Sequence, residues 1–203
     1  MAAKKRKRAG SEADKAQRRD EILAAAKTAF ADKGFHSTKI SDVAERAGYS
    51  YGTVYWYFDS KDELYDALME QVESSLRDAI LLALGADESP DVEKAIRRSV
   101  AATFEYFDTD PEAVRLMSRA QGIGTADDSQ NALYGRFSGD LESLIEDAQR
   151  KGLIAGGPPR VIAFSIAALI GQFAIRRLGE SDSMSADELG DFVVSLVLDG
   201  VRN

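Results

Sequence analysis

Residues 38–61, TKISDVAERAGYSYGTVYWYFDSK, leave the backbone few options. Ile40, Val43, Ala44 and Ala47 recur at i, i+3, i+4 and i+7, which predicts a short helix with one apolar face while Asp42, Glu45 and Arg46 meet water. Gly48 ends that helix, because glycine takes the left-handed conformation without a Cβ penalty, and Ser50 is placed to cap a second helix through its hydroxyl. The second helix, Tyr51 to Tyr57, has Val54 and the following Phe58 as apolar anchors. Tyr51, Tyr55, Trp56 and Tyr57 cover much of its circumference, so some of these rings must face outward. The alternative is that they only pack a small core, which fits Phe58 and part of Tyr55.

Two short helices joined by a glycine turn form a helix-turn-helix, whose second helix enters the DNA major groove N-terminus first. Hydroxyls, indole N–H and backbone N–H groups bond phosphates. Tyr51 and Thr53, near the helix start, are placed to touch base edges or thymine methyls.

Residues 19–65 resemble the N-terminal domain of the TetR family (tetracycline-repressor-like regulators). The matching words are ILAAA with Phe30, Gly34-Phe35, Thr38, Ala47-Gly48, Ser50, Gly52-Thr53, Tyr55, Tyr57-Phe58 and SKDEL at Ser60 to Leu64, and it is their joint spacing that is specific. The resemblance implies that Thr38, Tyr55 and Lys61 clamp phosphates and that Tyr51, Gly52 and Thr53 meet bases. The full expected DNA-binding set is Thr38, Lys39, Ser50, Tyr51, Gly52, Thr53, Tyr55, Trp56, Tyr57 and Lys61. Position 51, often basic in the family, is Tyr here, and Tyr49 replaces the commoner small aliphatic residue, so no relative's operator sequence can be borrowed.

Charge supports a division of the chain. Residues 1–61 carry 13 Lys and Arg against 8 Asp and Glu, whereas the remainder carries 13 against 26, within a whole-chain net of −8. A basic head on an acidic protein presents its charge locally to a polyanion. The expected organisation is a basic disordered arm at 1–16, rich in Lys4 to Arg8, a helix-turn-helix domain at 17–61, and a helical regulatory and dimerisation domain at 62–203. Predicted helices run from about Gln17 to Lys33, through the reading pair, from a Ser60–Glu63 capping box to Leu84, then Asp91 to Phe107, Pro111 to Gln121, Ser129 to Lys151, Pro158 to Leu178 and Ala186 to Val201. That is an all-α chain of about nine helices.

The last two helices suggest a homodimer. Leu189, Phe192, Val193, Leu196, Val197 and Val201 form an apolar stripe, and the run Val161 to Ile175 is apolar almost all round. The expected interface is Phe164, Ala168, Gly171, Phe192, Val193, Leu196 and Val197, with ordinary core packing as the alternative. At fifteen residues the run is shorter than the ~20 that span a bilayer, so no membrane association is expected.

An effector pocket is harder to read. Phe104, Phe107, Met117, Gln121, Tyr134, Phe137, Gln172 and Phe173 are the candidate lining, together with Tyr106, Phe164, Arg115 and Arg119, although aromatic and Met stripes are more often core. Catalysis finds no support: the single histidine, His36, sits in a loop without a motif-marked partner, there are no cysteines, and no clustered metal ligands stand out, so neither a cofactor nor a metal is expected. The expected function is a cytoplasmic DNA-binding regulator. The resemblance makes it a repressor released from a palindromic operator by a small, apolar effector of unknown identity. The alternatives are a DNA-binding dimer without a ligand switch and a helical enzyme or lipid carrier.

Overall fold

In the computed structural model the described residues are 12–85, 91–120, 139, 141–152, 157–179 and 184–200. All regular structure among them is helical: α1 (Glu12–Lys33), α2 (Ile40–Ala47), α3 (Tyr51–Tyr57), α4 (Lys61–Leu84), α5 (Val92–Thr109), α6 (Pro111–Ala120), α7 (residues 141–150), α8 (Pro159–Arg177) and α9 (Ala186–Gly200). The chain divides into two compact units, Met1–Leu68 and Met69–Asn203, so the boundary falls inside α4 rather than at residue 61.

In the first unit α1 buries Ile22, Leu23, Ala26 and Phe30 against Val43 and Ala44 of α2, Val54 of α3 and the start of α4. Phe30, Phe35 and Tyr65 close the centre, the Tyr65 ring lying 5.3 Å from Phe30 and 5.0 Å from Phe35. Helix α1 begins at Glu12, earlier than the Gln17 expected, with Glu12 and Asp14 in its positive first turn and Lys15 Nζ 2.6 Å from Glu12. The expected disordered arm is therefore too long at its C-terminal end. Residues 1–11, with the basic cluster, lie outside the described residues.

In the second unit Ile96, Val100 and Phe104 of α5, Ile145 of α7, Ile162, Ile166 and Ile170 of α8, and Leu189 and Val193 of α9 share one core. Asp91 caps α5 and a Ser185–Glu188 pair caps α9 reciprocally. Helices α5 and α9 approach at backbone distance: a Cβ on Gly190 would lie 3.0 Å from the Ala101 nitrogen and 3.1 Å from its Cα. Arg97 locks the same seam, bonding Glu93 on its own helix and the Asp191 carbonyl and Ser195 hydroxyl on α9. Arg177 at the end of α8 forks onto both carboxylate oxygens of Asp108, at 3.0 and 2.6 Å.

Candidate nucleic-acid interface and effector cavity

The turn before α3 is built as the sequence dictates. Gly48 has φ +72°, and the Tyr49 N–H closes on the Ala44 carbonyl at 2.9 Å. Ser50 Oγ accepts the Thr53 N–H at 3.1 Å and is hydrogen-bonded to the Thr53 hydroxyl at 2.8 Å. Tyr49 does not enter the core; its hydroxyl donates to Glu21, which ties the turn to α1 and holds the Glu21 carboxyl below its ordinary range.

Only Val54 of α3 is buried. Tyr51 and Trp56 are 55% and 65% exposed, Tyr55 is exposed too, and the Tyr51 and Tyr55 rings lie 4.7 Å apart, tilted 48° to one another. Gly52 is exposed on the same helix; a Cβ there would meet nothing nearer than Ser50 Oγ at 4.0 Å, so nothing among the described residues requires glycine. A groove of about 410 Å³ runs beside this face, lined by Lys15 and Arg18 of α1 with Ser50, Gly52, Thr53, Trp56 and Tyr57. Lys15 also stands 6.0 Å over the Trp56 ring. The sequence reading missed Lys15 because it began α1 at Gln17, and it did not single out Arg18, which lay inside the expected helix. Their i, i+3 spacing is the signal that a longer helix would have exposed.

Two expected phosphate ligands have other roles. Thr38 is buried, its Oγ1 donating to the Gly34 carbonyl at 2.7 Å and the Ala29 carbonyl at 3.2 Å, so its side chain fastens the loop rather than reaching outward. Lys61 donates to the Phe35 carbonyl at 2.9 Å and the Thr38 carbonyl at 3.3 Å, with its ammonium 4.3 Å over the Phe35 ring. It fixes the same loop from α4. Lys39 is exposed at the N-cap of α2, and His36 packs edge-on against Phe35 in the exposed loop.

A cavity of about 660 Å³ lies in the second unit. Its walls are Val72, Leu76 and Ile80 of α4, Ser99, Val100 and Thr103 of α5, Met117 of α6, Leu141 and Leu144 of α7 and Ile170 of α8, with Glu73, Arg77 and Asp147 supplying charge. The Ser99 hydroxyl donates to the Ala95 carbonyl at 2.9 Å and Thr103 Oγ1 to the Ser99 carbonyl at 2.7 Å, which leaves lone pairs as their remaining polar capacity.

Of the expected lining among the described residues, only Met117 borders this cavity. Phe104 and Phe107 are core and border a separate hollow of about 220 Å³ with Arg115 and Arg177. Gln172 is exposed and Phe173 packs edge-on against Phe192. Tyr106 bonds Asp110 at 3.1 Å, and burial first, then that carboxylate, push its hydroxyl pKa up. Gln121, Tyr134 and Phe137, and the Arg119 side chain, lie outside the described residues.

The expected dimer face divides in two. Phe164, Phe192 and Leu196 are exposed, and so is Val161; Ala168 and Gly171 are half-buried on the same side of α8. Val193 is not on that face: it is fully buried among Ile96, Val100 and Leu189, and Val197 packs against that core. Helix α8 is long and apolar enough, by length and composition alone, to cross a bilayer. Ile162, Ala163, Ile166, Ala167, Ile170 and Ala174 instead form part of the core.

Residues 22–68 match the family described as bacterial regulatory proteins, tetR family. The chain is 31% identical over 212 residues to the HTH-type transcriptional repressor NicS of Pseudomonas putida, covering 97% of this chain and 98% of that protein. It belongs to the TetR family. The fatty acid degradation regulator FadR from Bacillus halodurans has the same fold, with a TM-score of 0.77, 21% identity, and coverage of 97% of this chain and 100% of that one. FadR from Bacillus subtilis, solved in complex with stearoyl-CoA, superposes with a TM-score of 0.74 at 18% identity, over 90% of this chain and 99% of that one. As a TetR-family member the chain is a helix-turn-helix, DNA-binding transcriptional regulator, and α2 and α3 are its reading pair.

Proposed function

We propose that this TetR-family regulator is a cytoplasmic repressor that grips a palindromic operator as a homodimer and leaves it when a neutral, apolar small molecule fills the cavity of the second unit. The observation that carries the reading is the α3 face, where Tyr51, Tyr55 and Trp56 are exposed on a helix whose cap and turn are fully satisfied within the chain. Rings and hydroxyls exposed beside Lys15 and Arg18 suit a groove edged by phosphates.

Selecting a duplex from a random pool and titrating it with the full chain tests this, and Gly52 supplies the variant. In an open, helical position Gly52→Ala is expected to stabilise the head by about 0.5–1 kcal/mol in thermal denaturation. The added methyl stands where the backbone would approach DNA, so operator affinity is expected to fall at least about tenfold, the equivalent of one lost base contact. Improved stability with unchanged affinity would remove Gly52 from the interface.

The effector reading rests on the cavity walls. A volume of about 660 Å³ is within the usual range for small-molecule sites. Its Ser99 and Thr103 hydroxyls offer acceptors, which favours an apolar body bearing one hydroxyl or amide N–H. The lining holds one guanidinium, Arg77, while Asp147 is paired with Lys151 at 2.6 Å, so the cavity offers a polyanion little positive charge. Because α4 is one unbroken helix from Lys61 to Leu84, with Val72, Leu76 and Ile80 in the cavity wall, it is the element through which occupancy would reach the head. Ile80→Trp is expected to fill part of the cavity and weaken binding of the neutral dye Nile red at least about tenfold while operator affinity is kept. Fluorescence titration reads the first and anisotropy the second; unchanged dye binding would place the effector elsewhere.

A further inference from the structure

Helix α3, YGTVYWY, contains no Lys, Arg, Asn, Gln, Asp, Glu or His. That composition narrows how it can read bases. The strongest guanine contact in the major groove is a bidentate Arg or Lys on O6 and N7, and the strongest adenine contact is a bidentate Asn or Gln on N6 and N7. None of these side chains is on this helix.

The described cations near α3 stand on other elements, Lys39 among them at the exposed N-cap of α2. Lys15 and Arg18 stand on α1 at the flank of the groove, Lys15 paired with Glu12. Arg19 lies 5.4 Å over the Phe58 ring, Arg46 pairs with Asp32 and Lys33 with Asp42. What α3 presents is apolar surface edged by hydroxyls. Thr53 has its Oγ1 tied to Ser50, which leaves its methyl uncommitted, and the Tyr51 and Tyr55 rings lie 4.7 Å apart, tilted 48° to one another. The distinctive apolar group in the major groove is the C5-methyl of thymine.

We propose that this regulator specifies its half-site mainly through thymine methyls packed against Thr53 and the paired Tyr51 and Tyr55 rings, with α1 cations confined to phosphates. The inference rests on the reading that α3 enters the major groove, and the test separates the two. After selection of a duplex from a random pool with the full chain, each thymine in turn is replaced by deoxyuridine, which removes only the methyl. Each guanine in turn is replaced by 7-deazaguanine, which removes only the N7 acceptor.

Deoxyuridine is expected to weaken binding about fourfold at two or more positions of each half-site, the value of one buried methyl-sized group. 7-Deazaguanine is expected to change nothing beneath α3. Thr53→Ser keeps the hydroxyl that meets Ser50 and deletes the methyl, so it should erase the deoxyuridine penalty at one of those positions while leaving the others. A half-site that tolerates deoxyuridine throughout but loses affinity with 7-deazaguanine would overturn the inference and leave α3 as the reading helix. Failure to enrich any sequence would overturn the reading of α3 itself, and the inference with it.

Discussion

Val193→Asp is expected to unfold the second unit rather than to separate two subunits. Val193 is fully buried and shares a core with Ile96, Val100 and Leu189. Losing its apolar burial removes about 1.5–3 kcal/mol, and an unpaired carboxylate in that place adds a desolvation cost of several kcal/mol more. Against a total stability of about 5–15 kcal/mol for an ordinary domain, that sum removes most or all of the margin. Circular dichroism should show lost helicity and a broadened thermal transition. A folded monomer with wild-type helicity would return Val193 to the subunit interface.

The variant that tests dimerisation is the double change Phe192→Glu with Leu196→Glu. Both side chains are about half exposed in the single chain, so charge there costs the subunit little. In a two-fold interface the same glutamates would be desolvated and would meet one another across the axis. Sedimentation should then report a folded monomer. A single head has half the contacts and no tethering advantage, so operator affinity is expected to fall by a factor of about 10²–10⁴. A variant that still sediments as a dimer and binds operator at wild-type strength would place the two-fold face elsewhere.

These two variants show where the sequence was readable and where it was not. The reading pair was legible: α3 has the predicted bounds, α2 ends at Gly48 as expected, Gly48 takes the left-handed turn and Ser50 caps α3. Such features are local, set by residues within one or two turns of each other. On α9 the period was equally clear but its direction was not. Leu189, Val193 and Val197 form one stripe and Phe192 and Leu196 an adjoining one about 100° away, both apolar, and spacing alone does not say which faces inward. Gly190 could have said so, since a glycine inside a helix marks close backbone approach, and it lies beside Leu189 on the buried side.

The cavity was illegible for a different reason. Large aromatics drew the expectation, yet Phe104 and Phe107 fill core space, while Val, Leu, Ile, Ser and Thr side chains line the cavity. A hollow is where side chains fail to meet, which depends on how α4, α5, α7 and α8 are spaced and leaves no periodic trace. Thr38 and Lys61 were found at the right place with an unexpected task. Both are fastened to the carbonyls of the loop before α2, which the residue types alone do not reveal.

The contact of Gly190 with Ala101 has a mechanical consequence for the cavity. Helix α5 supplies Ser99, Val100 and Thr103 to one wall, and its opposite side is seated on α9 with no atomic gap left between the backbones. A guest molecule pressing on that wall meets a strut two helices thick, stiffened by the Arg97 fork. The wall of α4 is backed differently: Leu82, which is outside the cavity lining, is 84% exposed to solvent. A guest that had to make room for itself would therefore meet less resistance at the α4 wall than at the α5 wall.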